Sequence, residues 1–571
     1  MQHFSSVDTI WVLLGAALVF FMQPGFAMVE TGLTRAKNAG NIVMKNVLDL
    51  CIGTVAFWIV GFGLMFGTDV SGFIGIPDFF VKNFTTGTAG YPPMAYLIFQ
   101  TVFCATSATI VSGAMAERTK FSTYCLYSLL ISLIIYPISG HWIWGGGWLS
   151  EMGFHDFAGS TAVHMVGGIC AFVGAKMLGA RIGKYNDDGS VNAIPGHSLT
   201  LAALGVFILW FAWFGFNGCS TVSMTGDEVL ESAGLIFVTT NMAAAVATMT
   251  AMGVTWIRYG KPDVSMTLNG ALAGLVGITA GCDLVSPAGA LAIGLICGVL
   301  VVYAVEFIDQ KLKVDDPVGA VAVHGCCGAA GTILTGLFAT KDGLLYSGNP
   351  HFLLIQILGV VVVAIYVAIM ITIVFAILRS TIGLRVTAEE EIKGLDITEH
   401  GLASAYADFM PVTEVLGTSS SAAVAAAPAV AAPAPASAPA SDTPHAFVSK
   451  DGHPLTRVSI ITSRERFDSL KANLEPLGIT GITVTQVLGY GIQKGHTGMY
   501  RGAAVASRLL PKIEVSLVVS AIPPEKIVAA AKRALYTGHY GDGKIFVSAI
   551  DNVIKIRTGE EGFDALQDKP E

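Results

Sequence analysis

The hydrophobic pattern of the chain is a series of long apolar stretches separated by short polar connections, and the whole series lies before residue 380. A helix needs about 20 consecutive apolar residues to cross the core of a bilayer. Eleven stretches approach this length, of which the eighth is the weakest: 9–32, 43–67, 94–116, 124–147, 157–177, 198–219, 230–255, 266–282, 287–305, 318–338 and 352–378. We therefore predict an all-α polytopic membrane domain with eleven transmembrane helices.

Basic residues are concentrated in every second connection between these stretches. The richer set holds Arg35, Lys37, Lys45, Arg118, Lys120, Arg181, Lys184, Arg258, Lys261, Lys311 and Lys313. Because cytoplasmic loops of membrane proteins are enriched in Lys and Arg, we predict that the N-terminus lies outside and the C-terminal region in the cytoplasm. No signal-peptide pattern marks the first stretch, so we expect it to be a transmembrane helix.

The composition agrees with a membrane protein, since only 13% of the 571 residues are charged and 53% are hydrophobic. The formal net charge of −8 gives no indication of a nucleic-acid partner. The nine cysteines lie between Cys51 and Cys327 without metal-finger spacing, so we expect neither a disulfide framework nor a metal site in the membrane domain. A soft-metal site at Cys326, Cys327 and His324 is the less favoured alternative.

The composition changes beyond the apolar series. Residues 410–455 are rich in Ala, Pro and Ser and are predicted to form a flexible linker, long enough for a tethered module to move between docked and free positions. Residues 456–571 have the order β-α-β, polar Gly-rich loop, β-α-β, which predicts a ferredoxin-like α/β domain. Residues 1–409 then form the membrane domain and its cytoplasmic C-terminal segment.

Two histidines stand in matching contexts within the apolar series. His164 in the fifth stretch and His324 in the tenth each follow Ala-Val and precede a run of small residues. The tenth stretch comes five places after the fifth, an odd number, so the two helices cross the membrane in opposite directions. This is expected of inverted five-helix repeats, whose paired elements meet near the midplane. Two neutral imidazoles facing each other could carry a small polar solute along a narrow apolar pore.

Other interpretations of these histidines are considered beside this one. A single histidine on an apolar helix is usually a core residue or forms a hydrogen bond between helices. The two rings could also bind a metal, but no third ligand stands near them in the sequence. An ionisable residue inside a membrane span indicates function by default, and the matching frames favour the pore hypothesis.

Several motifs resemble the Amt/Rh ammonium transporter family over about residues 5–409. They are "FFMQPGFAMVETGLTRAKN", "GAMAERTKF", "WGGGWL", "DFAGSTAVH", "WFGFNGCS" and "VHGCCG", in this order and spacing. The resemblance implies a homotrimer in the lipid bilayer, with one hydrophobic pore per subunit that admits ammonia after ammonium has lost a proton. Such a pore excludes potassium, which cannot shed its charge and would pay the full desolvation penalty.

The resemblance also implies roles for particular residues. By this resemblance, ammonium is expected to be recruited at the outer mouth by Trp144, Ser220, Phe103 and Asp156. The gate and pore are expected to be formed by Phe216, Trp213, His164 and His324. In these roles Trp144 offers its π-face to the cation, Ser220 its hydroxyl, and Asp156 a helix cap and a stabilising charge.

The C-terminal domain resembles PII-type nitrogen regulatory proteins through "GYGIQKGHTGMYRG", "LPKIEV", "YTGHYGDGKIFV" and "VIKIRTGE". The resemblance implies a trimer that binds ATP or ADP and, with Mg-ATP, 2-oxoglutarate. By this resemblance, Gly541, Gly543, Lys544, Lys555 and Arg557 are expected to bind the nucleotide phosphates. Gln493 and Lys512 are expected to contact 2-oxoglutarate, and Arg501 is expected to insert into the cytoplasmic pore mouth.

Five positions depart from these families. Val505 stands where some members have a uridylylated tyrosine, so that modification is not available. Thr462 and Ser463 replace the usual Lys-Pro, and Ile492 replaces an arginine. In the membrane domain, Leu402 follows Gly401 where a glutamate is usual.

Together these features predict an ammonium transporter of a prokaryotic inner membrane, controlled by its own fused PII domain docking on the cytoplasmic face. The alternative is an ammonium sensor whose membrane domain conducts little and signals through the PII domain. No nucleophile-base constellation is present in the sequence, so we do not expect an enzyme.

Overall fold

The computed structural model describes residues 3–402, 405–406, 455–463, 466–479, 481–489, 497–500, 503–506, 510–538 and 542–566. Its contacts divide the chain into two compact units, one drawn mainly from residues up to Val412 and the other mainly from later residues. Each unit is described by itself. The predicted linker lies outside the described residues except for Leu455, so its boundaries stay a prediction.

The first unit is helical. Its principal helices are α1 (Ser6–Leu33), α2 (Ala36–Phe66), α3 (Pro93–Ala114), α4 (Phe121–Glu151), α5 (Ser160–Leu178), α6 (Leu199–Thr221), α7 (Asp227–Tyr259), α8 (Val264–Ile278), α9 (Pro287–Lys311), α10 (Val321–Phe338) and α11 (His351–Thr381). In the described residues, ten of these are long and apolar enough to cross a membrane, and only α8 is shorter. The helix α8 matches the weakest predicted stretch, so the count of eleven spans stays a prediction.

Small residues allow the helices to approach closely. A β-carbon on Gly32 of α1 would lie 2.4 Å from the backbone nitrogen of Ala202 in α6, and one on Gly205 would lie 2.6 Å from the carbonyl oxygen of Gly25. Without a hydrophobic driving force between helices in lipid, such close backbone packing is a main source of association. The first helices of the two predicted repeats therefore pack directly on each other.

A buried ionic network joins the connections at the basic end of the helices. Arg181 donates to Glu117 at 3.1 Å and to Asp315 at 2.9 Å, and Arg35 also donates to Glu117. Burial alone would raise the pKa of both carboxyls, but the guanidinium groups of Arg181, Arg35 and Arg118 outweigh it and hold each pKa below its ordinary value. The network fixes four connections that are distant in sequence.

The segment after α11 folds back onto the start of α2. It forms two short helices, α12 (Ala388–Lys393) and α13 (Leu395–His400). The carboxylate of Asp396 accepts hydrogen bonds from the backbone N–H groups of Gly40 and Asn41. These contacts occupy N–H groups that the first turn of α2 cannot satisfy itself.

The second unit is a four-stranded antiparallel sheet with two helices. The short strands β1 (Asp69–Val70) and β2 (Ile74–Gly75) belong to the first unit. The sheet contains β3 (Thr456–Thr462), β4 (Thr483–Gly489), β7 (Leu510–Val519) and β8 (Lys544–Ala549) in the order β4-β7-β3-β8. Two further strands, β5 (Thr497–Tyr500) and β6 (Ala503–Ala506), pair in the loop between β4 and β7.

The helices of this unit, α14 (Phe467–Leu474) and α15 (Pro524–Leu535), pack against each other. Their apolar sides and alternate residues of the sheet form one core, which includes Val458, Ile460, Val515, Leu470 and Ile527. The period-2 pattern of the strands and the 3.6-residue pattern of the helices place these side chains on the facing surfaces.

We expect Arg181→Ala to destabilise the first unit by about 3–5 kcal/mol, because it leaves Glu117 and Asp315 buried without their shared cation. Thermal unfolding of the full-length protein in detergent measures this change. Lys393→Ala, which breaks an exposed pair with Glu389, is the control and should leave the melting temperature unchanged. Equal losses in the two variants would contradict this role for the network.

The same network predicts the direction in which the stability of the first unit changes with pH. The pKa values of Glu117 and Asp315 are lower in the folded state than the value of about 4 of unfolded carboxyls, so the pairs stabilise the fold above that pH. The stabilisation should be lost as the pH falls through the folded-state pKa values. Arg181→Ala should flatten this acid dependence.

Candidate functional site

The structure brings His164 and His324 together in the middle of the first unit. Each ring lies in a π-helical turn that begins a span, Ser160–Met165 in α5 and Val321–Cys326 in α10. The two Nδ1 atoms are 3.2 Å apart, and the rings are nearly parallel with centroids separated by 5.2 Å. Both side chains are buried.

This contact depends on a backbone crossing between α5 and α10. A β-carbon on Gly168 would lie 2.2 Å from the backbone nitrogen of Gly325, so only glycine permits the approach. A β-carbon on Gly325 itself would meet nothing closer than 3.5 Å. The small residues after each histidine therefore set how closely the two rings can approach.

The hydrogen bond between the rings determines what they offer to a solute. When two neutral imidazoles share one N–H between their Nδ1 atoms, one ring is left with a protonated Nε2 and the other with a bare Nε2. The pair then presents one donor and one acceptor. The Nε2 atom of His164 is buried and has no hydrogen-bond partner among the described residues.

An aromatic column leads away from His164. Its ring stacks on Trp213 at 5.0 Å and on Phe216 at 5.3 Å, and Phe216 stacks on Phe103 at 4.2 Å between centroids. The indole N–H of Trp213 donates to the hydroxyl of Thr279 at 2.9 Å, which satisfies its only polar group. The result is an apolar constriction closed by the Phe103–Phe216 pair.

Half-buried polar groups surround the far side of this constriction. The indole of Trp144 meets Phe103 edge to face at 6.2 Å, and its N–H donates to the carbonyl oxygen of Asp156 at 2.7 Å. The hydroxyl of Ser220 donates to the carbonyl oxygen of Phe216 at 2.7 Å. Its oxygen can therefore still accept a hydrogen bond from a cation beside the indole face.

The carboxylate of Asp156 is directed into the fold. It accepts hydrogen bonds from the backbone N–H groups of Gly159, Ser160, Thr161 and Ala162, at 2.8–3.0 Å. Burial raises the pKa of Asp156, and these donors partly offset the rise. The side chain of Asp156 caps α5, and the backbone carbonyl of the same residue accepts the hydrogen bond from the Trp144 indole.

Two residues of this region were not predicted from the sequence. Thr279 fixes Trp213, and Phe26 packs on the other side of the pair, 6.0 Å from the ring of His324. A threonine or phenylalanine inside an apolar run has no distinguishing pattern. Among the described residues no three His, Cys, Asp or Glu side chains are placed to hold a metal, and all nine cysteines are free thiols.

In the second unit the structure describes only part of the predicted binding site. Gly543 has φ of +113°, and a β-carbon there would lie 1.9 Å from the carbonyl oxygen of Ile461, so the position requires glycine. Lys544 begins β8 next to it, and both line a cavity of about 400 Å³. Lys555 and Arg557 follow β8, beyond this cavity lining.

The other predicted residues of this site differ in what can be said of them. Lys512 lies on β7 opposite Val487 of β4. Thr462, at the position of a predicted departure, donates to the carbonyl oxygen of Asp542. Gly541, Gln493 and Arg501 lie outside the described residues, so their roles stay predictions.

Comparison with known families gives two matches. A family model described as Ammonium Transporter Family matches residues 10–406, and one described as Nitrogen regulatory protein P-II matches residues 455–560. Ammonium transporter Amt2 of Archaeoglobus fulgidus is 46% identical over 428 residues, covering 71% of this chain and 89% of that protein. A putative ammonium transporter of Synechocystis, sll1017, is 42% identical over 69% of this chain and 88% of its own length.

Solved structures agree with the sequence relatives. One described as "Sensor Amt Protein" is 43% identical, with a TM-score of 0.66, and the match covers 69% of this chain and 98% of that one. Mep2 of Candida albicans is 27% identical, with a TM-score of 0.62, over 68% of this chain and 88% of its own.

We expect Gly168→Ala to separate the two histidine rings, because the new methyl group would overlap the backbone of α10. The distance between the Nδ1 atoms in an experimental structure should exceed hydrogen-bonding range, and stability should fall by about 1–3 kcal/mol. Gly325→Ala at the same crossing is the matched control, because its β-carbon meets only ordinary contacts. An intact ring pair in Gly168→Ala would show that the crossing does not set the contact.

Proposed function

The chain belongs to the ammonium transporter family and carries a P-II domain at its C-terminal end, and on this basis we propose that it conducts ammonia across the membrane under the control of that domain. The observation that best supports transport is the contact between His164 and His324 below an aromatic constriction. A charged solute would lose its hydration there without compensation, whereas neutral ammonia crosses an apolar passage at small cost.

The outer site is proposed to bind ammonium, one N–H bond of which then breaks and passes its proton to water on the outer side. The cation lies against the face of Trp144 and donates a hydrogen bond to Ser220, while the buried charge of Asp156 stabilises it. Movement of the Phe103 and Phe216 rings then admits ammonia. Potassium has a similar size and charge but no proton to lose, so it stops at the constriction.

Beyond the rings, ammonia passes the histidine pair. Its N–H groups can donate to the bare Nε2 and its lone pair can accept from the protonated one. The unpartnered Nε2 of His164 supports this role. The two imidazoles thus replace the hydrogen bonds that ammonia makes with water, without offering a site for a charge.

Several finer features of the architecture are part of the proposal. The direct packing of α1 on α6 and of α5 on α10 supports inverted five-helix repeats. We count the shorter helix α8 as a span too, which brings the total to eleven. The strand order of the second unit, two-three-one-four for its four main strands, supports a ferredoxin-like fold. Exposed apolar residues on and after β8, including Phe546, Val547 and Ile556, support burial of this edge of the sheet in a homotrimer.

Regulation is proposed to come from the fused domain on the cytoplasmic side of a prokaryotic inner membrane. Gly541, Gly543, Lys544, Lys555 and Arg557 would bind the phosphates of ATP or ADP, and the strained turn at Gly543 fits such a cradle. Gln493 and Lys512 would contact 2-oxoglutarate. The nucleotide and its Mg ion would support the binding of this effector. The linker would raise the local concentration of the domain to roughly the millimolar range.

A sensor function is the second candidate, since a structure described as "Sensor Amt Protein" is among the similar ones. In that case the membrane unit would bind ammonium and conduct little. The fused domain would pass the information to another protein.

We expect the full-length protein in proteoliposomes to take up ammonium and methylammonium but no potassium. ADP should slow this uptake and 2-oxoglutarate with Mg-ATP should restore it, because the effectors are proposed to act through the P-II domain. Deletion of residues 418–571 should keep the uptake and abolish the response. Absence of uptake in both forms would favour the sensor.

We expect Arg501→Ala to abolish the inhibition by ADP, because this side chain is proposed to occupy the cytoplasmic pore mouth. Uptake of methylammonium with and without ADP provides the measurement, and nucleotide affinity by calorimetry should not change. Lys526→Ala, on the surface of α15, is the control and should remain inhibited. Inhibition that persists in Arg501→Ala would rule out this blocking mechanism.

A further inference from the structure

Three ionisable side chains are buried close to one another in α1 and α2, apart from the residues of the proposed pore. Glu30 of α1 is 3% exposed, and Lys45 and Asp49 of α2 are 1% and 0% exposed. Intramembrane charges are costly, so groups of this kind usually have a function. None of the steps proposed above uses them.

Ser112 links the side chains of Glu30 and Lys45 by hydrogen bonds, and Asp49 lies one helical turn after Lys45 on α2. Both bonds to the Glu30 carboxyl among the described residues end on Oε2, from the Ser112 hydroxyl at 2.7 Å and the Asn46 amide at 3.3 Å. The Lys45 ammonium reaches the carbonyl oxygen of Ser112 at 3.4 Å, and Asp49 accepts a hydrogen bond from the Tyr124 hydroxyl. The Oε1 atom of Glu30 is left available to a ligand.

The cluster lacks one positive charge. It contains two carboxyl groups and one ammonium, and the Arg118 and Glu117 side chains that face Lys45 from the basic end add one charge of each sign. A buried carboxylate without a counter-charge is strongly unfavourable. The cluster is therefore neutral only when it also holds a proton or a small cation.

Glu30 also faces a cavity that begins at the histidine pair. The cavity has a volume of about 20 Å³, and Phe26, Glu30, Asn269 and His324 contribute to its lining. That volume holds one molecule of the size of water or ammonia. Because Glu30 lies four residues after Phe26, which packs on His324, it occupies the same face of α1 one turn nearer the basic end.

We propose that Glu30 is the group that returns a proton to ammonia after it has passed the histidine pair, an inference that rests on the proposed transport function. The O–H bond of the Glu30 carboxylic acid breaks and a fourth N–H bond forms, so ammonium and a carboxylate result. The carboxylate holds the ammonium in the cavity until it leaves toward the basic end. Glu30 then recovers a proton from water at that end.

Lys45 and Asp49 act on this step as positioning residues. One ammonium can compensate only one of the two carboxylates, and of these two Glu30 is the one that lines the cavity and is placed to exchange a proton with ammonia. The hydrogen bonds from Ser112 and Asn46 to Oε2 direct Oε1 toward the cavity. His324, the other titratable group lining this cavity, is paired with His164.

The test uses infrared difference spectra and ammonium uptake of the full-length protein in proteoliposomes. Ammonium should deplete a carboxylic-acid C=O band of the wild type and increase the carboxylate bands. Glu30→Gln should lose the band change and at least about tenfold in uptake rate, since general acid–base groups contribute about a hundredfold or more. Glu306→Gln, which removes a carboxylate paired with Arg258 on another face, is the matched control and should retain both signals.

The outcomes separate this inference from the proposed function. No ammonium uptake by the wild type would refute transport itself. Wild-type uptake with an unchanged uptake rate or band change in Glu30→Gln would overturn only the role of Glu30. If Glu30→Gln does not assemble, Glu30→Asp should shift the frequency of the band, and a wild type without any carboxylic-acid change on ammonium addition would also overturn it.

Discussion

The constraint on which the proposed pore depends is the close contact between Gly168 and the backbone at Gly325. It lets two helices cross at a distance that no side chain permits, and the histidine before each crossing then meets its counterpart. The π-helical turns add to this, because the wider turn changes the direction of the side chains at its start. The imidazole pair is thus a consequence of backbone packing and needs no charge or metal to hold it.

The rings above the pair depend on the same arrangement. His164 is the last member of a stack that includes Trp213, Phe216 and Phe103, so its position and theirs are fixed together. The polar groups of this region satisfy each other through the backbone: Ser220 donates to Phe216, and Asp156 caps α5. The constriction is therefore dry, although polar groups stand at its outer side.

The sequence was sufficient for the helical membrane unit, because bilayer thickness imposes a length that is visible as apolar runs. It also indicated the histidine pair, since matching frames in oppositely directed helices leave a pattern. It could not indicate Thr279 or Phe26, whose importance arises only from tertiary contact. The end of α8 also could not be predicted from the sequence, because the turns that follow it at Gly281 pack closely against Thr335.

The distribution of charge along the proposed path follows from the cost of desolvation. Asp156 stands before the aromatic constriction and Glu30 after the histidine pair, while the part between them is lined by rings that carry no formal charge. A solute that exchanges a proton can be charged at both ends and neutral between them. A permanent cation can satisfy only the ends, so under the proposed function the position of the carboxyl groups and the spacing of the rings provide selectivity without a cavity matched to ion size.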